Sequence, residues 1–337
     1  MHDQKEISKA NMTERKRYKV GALCAGYGGI ELGLSEVINT ELVWVSDIDT
    51  DKVLKDAPNR ILKKRFRKPN LGDLTKIINP PKVDIVTAGF PCQPVSVAGE
   101  REGIEDERWL IEDVCRVASN AGAKWLILEN VPGIYTANNG QALARVCSAM
   151  AYFGFNRWEW DTFRASDIGA PHKRERWFCV ATNTNGAGLQ RRRPQRKLQA
   201  NSGTSSFAWG RYARAIRRWE ETLGRPAPDA ALEYGYLSHH FIEWMMGLPE
   251  GHVCGEDIGL SRSVALKCLG NGVVPQQAKF AIEILLDRLG SKSMDTKAAE
   301  MQKLRSRGMN WQEIAETYGY KDPSGPRKLV QSRTVEA

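Results

Sequence analysis

The sequence predicts an α/β fold built on a doubly wound, mostly parallel sheet. Short apolar, β-branched runs alternate with helical segments through the first half of the chain, and most of them stop at glycine or at polar residues. With 42% hydrophobic and 26% charged residues, the composition is that of an ordinary globular protein. The predicted strands are 18–25, 42–46, 83–88, 124–130, 157–163 and 176–182, with helices ending near 37 and spanning about 110–118. Ligands of such sheets bind at the carboxyl ends of the strands.

Bulk properties narrow the class of protein. The net charge of +9 suits a polyanionic partner, and no apolar run is long enough for a membrane span. The seven cysteines are scattered and the five histidines form no ligand spacing, so neither a disulfide framework nor a metal site is expected. The amino terminus is polar and has no apolar signal core. We expect a soluble, cytoplasmic protein without a metal.

The chain changes character after Thr182. Residues 183–226 are basic and loop-like, with aromatic residues (Phe207, Trp209, Tyr212, Trp219) interleaved among arginines. Such a segment is either a solvated insertion or a surface for phosphate contacts and base stacking. Beyond a linker expected at 290–293, residues 296–330 resemble a helix-turn-helix unit that would add non-specific DNA affinity. The alternative is a helical tail packed on the main body.

Two features suggest a nucleoside cofactor. Gly26-Tyr27-Gly28-Gly29 joins a strand to a helix and would let the backbone approach a ligand closely, but it lacks the full Gly-x-Gly-x-x-Gly spacing. Asp47 ends the second strand, where a carboxylate can bind ribose hydroxyls or cap the following segment. Together they favour an adenosine-containing cofactor without a pyrophosphate.

Three further positions carry reactive or charged groups at strand ends. Cys92 follows Gly89 and Pro91 at the tip of the 83–88 strand and is either a nucleophile or a small buried residue. Glu129 ends an apolar strand and could donate a proton from a raised pKa, or form a cap or salt bridge. Arg174 and Arg176 share one face of a strand and could bind a phosphate or a base carbonyl, or line an exposed edge.

Taken in order, these motifs resemble the DNA (cytosine-5)-methyltransferases of bacterial and phage type. The resemblance covers roughly residues 18–290 and implies a Rossmann-like, S-adenosylmethionine-dependent methyltransferase fold. It rests on Ala25-Gly26-Tyr27-Gly28-Gly29, Gly89-Phe90-Pro91-Cys92-Gln93, Glu129-Asn130-Val131, Lys173-Arg174-Glu175-Arg176 and Gly270-Asn271-Gly272-Val273-Val274-Pro275.

The resemblance implies the chemistry. The thiolate of Cys92 would add to carbon 6 of a flipped-out cytosine, and Glu129 would hydrogen-bond N3 and the amino group. Arg176, with Arg174 beside it, would contact the base carbonyl, while residues 93–103 would close over the base. Cofactor contacts are implied for Gly26, Tyr27, Gly28, Gly29, Asp47, Ile48, Asp73, Leu74, Pro91, Leu110, Asn271 and Val273. DNA contacts are expected from Gln93, Ser96, Arg191, Arg192, Arg193, Arg196, Arg211 and Arg214.

The resemblance implies a chain of five segments. It also implies that the protein is a monomer and that its partner is double-stranded DNA. The segments are a flexible amino terminus (1–17), a cofactor-binding and catalytic domain (18–182), a target-recognition region (183–237), a return segment completing the catalytic domain (238–290), and a linker with a helix-turn-helix-like tail (291–337). Three positions depart from the family pattern: Cys24 replaces a phenylalanine, His172 replaces a glutamine, and the motif around Leu110 is one residue short.

Other functions fit the sequence less well. A tRNA cytosine-5 methyltransferase would share the same core, and a non-catalytic DNA-binding protein would be expected to have lost Cys92 or Glu129. A nicotinamide oxidoreductase would leave the Phe-Pro-Cys-Gln and Glu-Asn-Val motifs without a role. The sequence leaves two biological roles open. The enzyme could be paired with a restriction nuclease, or it could be a solitary enzyme of a phage or prophage.

Overall fold

The structure is a computed structural model that describes residues 16–48, 53–54, 56–91, 110–183, 188–192, 209–306, 308–317 and 322–334. The chain separates into two compact units, Met1–Glu283 and Ile284–Ala337. Several residues with predicted roles lie outside the described residues: Cys92, Gln93, Ser96, Arg193, Arg196 and the expected closing loop at 93–103.

A six-stranded sheet forms the centre of the first unit. Its spatial order is β2-β1-β3-β4-β6-β5. The pairs β1–β2, β1–β3 and β3–β4 are parallel, and β6 runs antiparallel to both β4 and β5. This confirms the predicted mostly parallel α/β sheet. The strands are β1 (Tyr18–Leu23), β2 (Thr40–Ser46), β3 (Ile85–Gly89), β4 (Trp125–Asn130), β5 (Arg157–Arg164) and β6 (Glu175–Thr182).

The strand order changes direction between β1 and β3. The chain leaves β1 toward β2 on one side and returns to β3 on the other, so the loops that follow β1 and β3 open a crevice between them. The glycine turn at 26–29 follows β1, and the segment leading to Cys92 follows β3. The topology therefore places both motifs at the same edge of the sheet.

Ten α-helices complete the described part of the chain. Gly290–Ser293, the expected linker, is helical and continuous with its neighbours in α8, so the linker prediction was wrong. A single glycine costs only about 1 kcal/mol in a helix interior, which the buried Leu286 and Leu289 offset. The helices are α1 (Gly29–Val37), α2 (Ala57–Phe66), α3 (Ile111–Asn120), α4 (Gln141–Tyr152), α5 (Ala213–Leu223), α6 (His239–Met245), α7 (Arg262–Asn271), α8 (Pro275–Ser306), α9 (Trp311–Thr317) and α10 (Ser324–Thr334).

Among the apolar clusters in the described part of the first unit, two are large. The larger one joins β3 and β4 to α3 and α4, through residues such as Val86, Leu128 and Val114. Because helices cover these strands, they read as continuous apolar runs rather than as alternating ones. The second core gathers α5, α6 and α7 around the buried Trp219 and Trp244.

The aromatic residues of the basic segment have mixed roles. Trp219 is fully buried and its indole N–H donates to the carbonyl of Trp244 at 3.1 Å. Trp209 stacks on Phe241 with ring centroids 5.2 Å apart. Of the interleaved aromatic residues that the structure describes, Tyr212 alone is exposed. Of the two interpretations that the sequence left open, a base-stacking surface is therefore supported at Tyr212 but not at Trp209 and Trp219, which serve packing.

Candidate active site

The turn between β1 and α1 is shaped for close approach of a ligand. Gly26 and Gly28 have φ values of 58° and 83°, a region that costs glycine little. A Cβ on Gly26 would meet no atom within 4 Å, so open space lies in front of this peptide. Gly28 faces the ring of Phe66, where a Cβ would approach to 2.3 Å. The turn thus presents backbone at the start of a helix, as an approaching polar ligand requires.

Asp47 lies beside this turn at the end of β2. Its Oδ2 accepts the N–H of Gly26 at 2.7 Å, which joins the carboxylate to the glycine turn. Asn70, which the sequence analysis missed, fixes the backbone around it. The Asn70 amide accepts the N–H groups of Asp47 and Gly72 at 3.1 and 3.0 Å, and donates to the Asp47 carbonyl at 3.0 Å. The Gly26 N–H therefore fixes the Asp47 carboxylate, and Asn70 fixes the Asp47 backbone.

The residues for which the family resemblance implies adenine contacts, Ile48, Asp73 and Leu74, come from two separate segments of the chain and differ in character. Ile48 is 48% exposed, whereas Leu74 is buried. Asp73 caps the short turn Leu74–Lys76, because its Oδ1 accepts the Thr75 N–H at 3.0 Å and the Thr75 hydroxyl at 2.7 Å. These hydrogen bonds from Thr75 lower the pKa of Asp73. The adenine contact of Asp73 stays a prediction; its observed role is that of a cap. Pro91 and Leu110 are half-buried.

Residues 270–273 of the return segment are bonded both to the glycine turn and to the residues before β6. The Tyr27 hydroxyl donates to the carbonyl of Val273 at 2.9 Å. The Arg174 guanidinium donates to the carbonyls of Gly270, at 2.7 Å, and of Gly272. Val273 is buried and Asn271 is exposed. Arg174 therefore holds the return segment, a positioning role that the strand-face argument did not foresee.

Gly272 offers a direct test of the contact between Tyr27 and the return segment. A Cβ at Gly272 would lie 1.9 Å from the Tyr27 ring, whereas one at Gly270 would meet no atom within 4 Å. We expect Gly272→Ala to lower the free energy of unfolding by about 1–3 kcal/mol through overpacking. Chemical denaturation would measure the change, and Gly270→Ala is the matched control. Equal stability of the two variants would show that Tyr27 does not pack there.

Glu129 and Arg176 form an ion pair at the carboxyl end of β4. The Arg176 Nε lies 3.0 Å from Glu129 Oε1, and the side chains are 16% and 11% exposed. Burial raises the pKa of Glu129, and the positive charges of Arg176 and Arg174 oppose this rise only in part. A buried carboxyl of this kind can hold a proton and donate it in a hydrogen bond.

The end of β3 lies directly beside this pair. A Cβ built on Gly89 would lie 3.3 Å from Glu129 Oε2. The buried Asn130 accepts the N–H of Val131 at 2.8 Å through its side-chain oxygen and donates to the Phe90 carbonyl at 3.4 Å. Asn130 thus ties the end of β4 to the segment that leads into Cys92. The sequence predicted the Glu129 carboxylate but not the hydrogen bonds of Asn130.

Burial shifts the pKa values of other polar groups near the site in the direction of their neutral forms. The Cys24 thiol has its pKa raised by burial and by the neighbouring Asp47, which makes it a poor nucleophile. Burial also lowers the pKa of His172, whose Nε2 lies 3.0 Å from the Met245 carbonyl. Glu31, missed by the sequence analysis, is buried and accepts the Thr87 hydroxyl. Its signal was a carboxylate on an otherwise apolar face of α1.

The predicted DNA-contacting arginines fall in two places. Arg211 and Arg214 are exposed, and Arg214 shares a face of α5 with the exposed Arg217 and Arg218. By contrast, Arg192 donates its N–H to the Val37 carbonyl at 2.7 Å, and Arg191 pairs with Ile38. Arg191 and Arg192 therefore lie at the amino end of β2, opposite the edge that holds Asp47.

One side-chain cluster corrects a premise of the sequence analysis. The histidines were expected to form no metal-ligand cluster, but the ligand atoms of His239, His240 and Cys254 lie within 4.8 Å of one another. Histidine and cysteine donors in this number suit zinc. The cluster was invisible in the sequence because the loop between α6 and α7 brings Cys254 back to the start of α6.

In the described part of the chain, no helix combines the length and apolarity of a membrane span.

The chain is similar to solved methyltransferase structures. A methyltransferase of Entamoeba histolytica, EhMeth, superimposes with a TM-score of 0.54 at 16% identity, covering 82% of this chain and 99% of that one. This likeness shows the fold.

Sequence comparison identifies nearer relatives. The chain is 36% identical over 164 residues to the type II methyltransferase M.CviJI of Paramecium bursaria Chlorella virus IL3A, covering 47% of this chain and 41% of that protein. It is 28% identical over 223 residues to M1.ScrFI of Lactococcus lactis subsp. cremoris, covering 64% and 56%. The alignments thus span about half the length of these relatives. The family model for C-5 cytosine-specific DNA methylase matches residues 18–218, and the chain belongs to that family.

Proposed function

We propose that this chain is a DNA (cytosine-5)-methyltransferase that uses S-adenosylmethionine to methylate carbon 5 of a flipped-out cytosine. The observation that carries the proposal is the buried Glu129–Arg176 pair beside the end of β3, the strand that leads into Phe-Pro-Cys-Gln. A carboxyl with a raised pKa at this edge can bind the Watson–Crick edge of a base. Family membership supports the same reaction.

The residues that follow β1 and β2 at the carboxyl ends of these strands fit an adenosine-containing cofactor. The backbone at Gly26 faces open space, and the Asp47 carboxylate beside it can accept hydrogen bonds from ribose hydroxyls. The exposed Ile48 offers an apolar surface for a base. When bound, S-adenosylmethionine would supply the methyl group that carbon 5 acquires. Asn70 and Tyr27 would keep the two sides of this site in place.

The proposed covalent step uses Cys92. Its thiolate sulfur forms a bond to carbon 6, and the electron pair of the C5–C6 double bond makes carbon 5 nucleophilic. Glu129, when protonated, donates to N3 and so stabilises the charge that develops on the ring. After methylation, loss of the carbon-5 proton restores the double bond and expels the thiolate. Arg176 would keep Glu129 oriented and bind the carbonyl of the base.

We infer that double-stranded DNA approaches through the exposed arginines of α5 and of the turn before it. Arg214 of α5 and Arg211 of the preceding turn were predicted from the sequence. Guanidinium groups on one helix face can bind successive phosphates. Both relatives are named type II methyltransferases, and one of them comes from a virus. This supports a place in restriction and modification, while action as a monomer in the cytoplasm remains an expectation.

The first experiment is transfer of labelled methyl from S-adenosylmethionine to unmethylated duplex DNA, with base-resolved mapping of the product. Label at carbon 5 of cytosine is the expected result. A parallel reaction with unmodified tRNA tests the main alternative. Label on tRNA alone, or on neither substrate while the cofactor still binds, would overturn the proposal.

Asp47 gives a test of the cofactor site. Asp47→Asn keeps an oxygen acceptor for the Gly26 N–H but removes the charge that strengthens hydrogen bonds from ribose. We expect the dissociation constant for S-adenosylmethionine to rise about tenfold or more, measured by titration calorimetry. Glu36→Gln removes one exposed carboxylate, which pairs with Lys279, and is the control. Unchanged affinity in Asp47→Asn would place the ribose elsewhere.

A further inference from the structure

The second unit has an apolar core of its own. Ala298 and Met301 of α8, Ile314 of α9 and Val330 of α10 are buried against one another, and Trp311 packs beside them. The Arg305 guanidinium lies 5.8 Å from the centroid of the Trp311 ring. Three consecutive helices that share one core form a small helical module rather than an extended tail.

The junctions between these helices are specified by capping. Gly308, with a φ of 98°, ends α8. Asn310 and Glu313 then form a reciprocal cap on α9: the Asn310 side chain accepts the Glu313 N–H at 3.0 Å, and Glu313 accepts the Asn310 N–H at 2.7 Å. At the start of α10, Asp322 accepts the Ser324 N–H at 2.8 Å. The unit therefore has the order of a helix-turn-helix, in which the second helix of the motif meets DNA.

The two faces of α10 differ in character. Pro326 and Val330 are buried on one side. The exposed residues repeat at i, i+3, i+4 and i+7, which puts them in one stripe on the opposite side. The stripe consists of Ser324, Arg327, Lys328 and Gln331. Since α10 contains no acidic residue, this stripe is positively charged and rich in hydrogen-bond donors.

The acidic residues of the neighbouring helix are engaged locally. Glu313 serves as the cap of α9, and Glu316 accepts from the Gln312 side chain at 2.9 Å. They are thus used within α9. The acid at the start of α10, Asp322, interacts with Lys328, while α10 itself contains no acidic residue. The stripe combines cations that bind phosphate with an amide that can bind adenine in the major groove.

We propose that the second unit is a DNA-binding module, and that the α10 stripe contacts duplex DNA independently of the cytosine-5 site. The charge of the stripe and its helix-turn-helix context select this partner. The module would hold the enzyme on DNA between encounters with target cytosines. This binding does not require the proposed catalytic function to be correct.

The test measures binding of the full-length chain to a duplex made only of A·T pairs. Such a duplex contains no cytosine and cannot be a substrate of the proposed reaction. We expect Arg327→Ala/Lys328→Ala to weaken binding roughly tenfold or more near 0.15 M salt. The slope of log affinity against log salt should also fall by about two, because two phosphate contacts are lost. Lys82→Ala/Lys124→Ala removes two exposed charges from the first unit and is the matched control.

Two further measurements keep the result interpretable. Arg327→Lys/Lys328→Arg preserves the charges and should retain the salt slope. A thermal melt of each variant should match that of the wild type, since both residues are exposed and lie off the core. Unchanged affinity and slope in the double alanine variant, or an equal loss in the Lys82/Lys124 control, would overturn the proposal. Stronger binding to a duplex RNA of the same length would assign the stripe to RNA instead.

Discussion

Replacing Cys92 with serine is expected to reduce methyl transfer to duplex DNA by about 10⁴-fold or more. A serine hydroxyl is a far weaker nucleophile than a thiolate. Every later step depends on the bond from sulfur to carbon 6, so its loss removes the whole covalent route rather than one contribution to it. Single-turnover transfer of labelled methyl to a cytosine-containing duplex would measure the effect.

A second cysteine provides the control for this experiment. Cys147 is half-buried on α4, and burial raises the pKa of its thiol, so it is expected to be unreactive. Cys147→Ser should keep nearly full activity, and both variants should bind S-adenosylmethionine as the wild type does. If Cys92→Ser keeps more than a tenth of the wild-type rate, Cys92 is not the nucleophile.

The sheet was predictable because its signals are local. Apolar runs such as 124–130 end at a polar residue, and the parallel topology then brings Asp47, Glu129 and the end of β3 to one edge. This is why three motifs separated by tens of residues could be assigned to a single crevice. Family resemblance added the chemistry to positions that the pattern had already placed.

The remaining features depend on contacts between distant residues, which local patterns do not reveal. The hydroxyl of Tyr27 reaches Val273, 246 residues away, and Arg174 is directed to the return segment by the same packing. Asn70 has no distinctive sequence context, yet it organises Asp47. The helix through 290–293 was missed because a glycine and two serines suggest a linker. The buried Leu286 and Leu289 in the preceding turn of α8 stabilise the helix instead.

Glu129→Gln is expected to lower kcat by about 10²–10³-fold with little change in cofactor binding, because a donor to the developing ring charge is weakened in a buried site.

The pH profile of the rate separates this chemical role of Glu129 from a structural one. Burial raises the pKa of Glu129, so the protonated, donating form persists above the ordinary carboxyl range and is lost as pH rises through the raised value. The wild-type rate should therefore fall on the alkaline side, and Glu129→Gln should lack that limb, since an amide does not titrate. Glu112→Gln, at a half-buried pair with Arg145, should keep the wild-type profile. A Glu129→Gln enzyme with the wild-type kcat and the same alkaline limb would remove Glu129 from the chemistry and leave the pair with Arg176 as a purely structural contact.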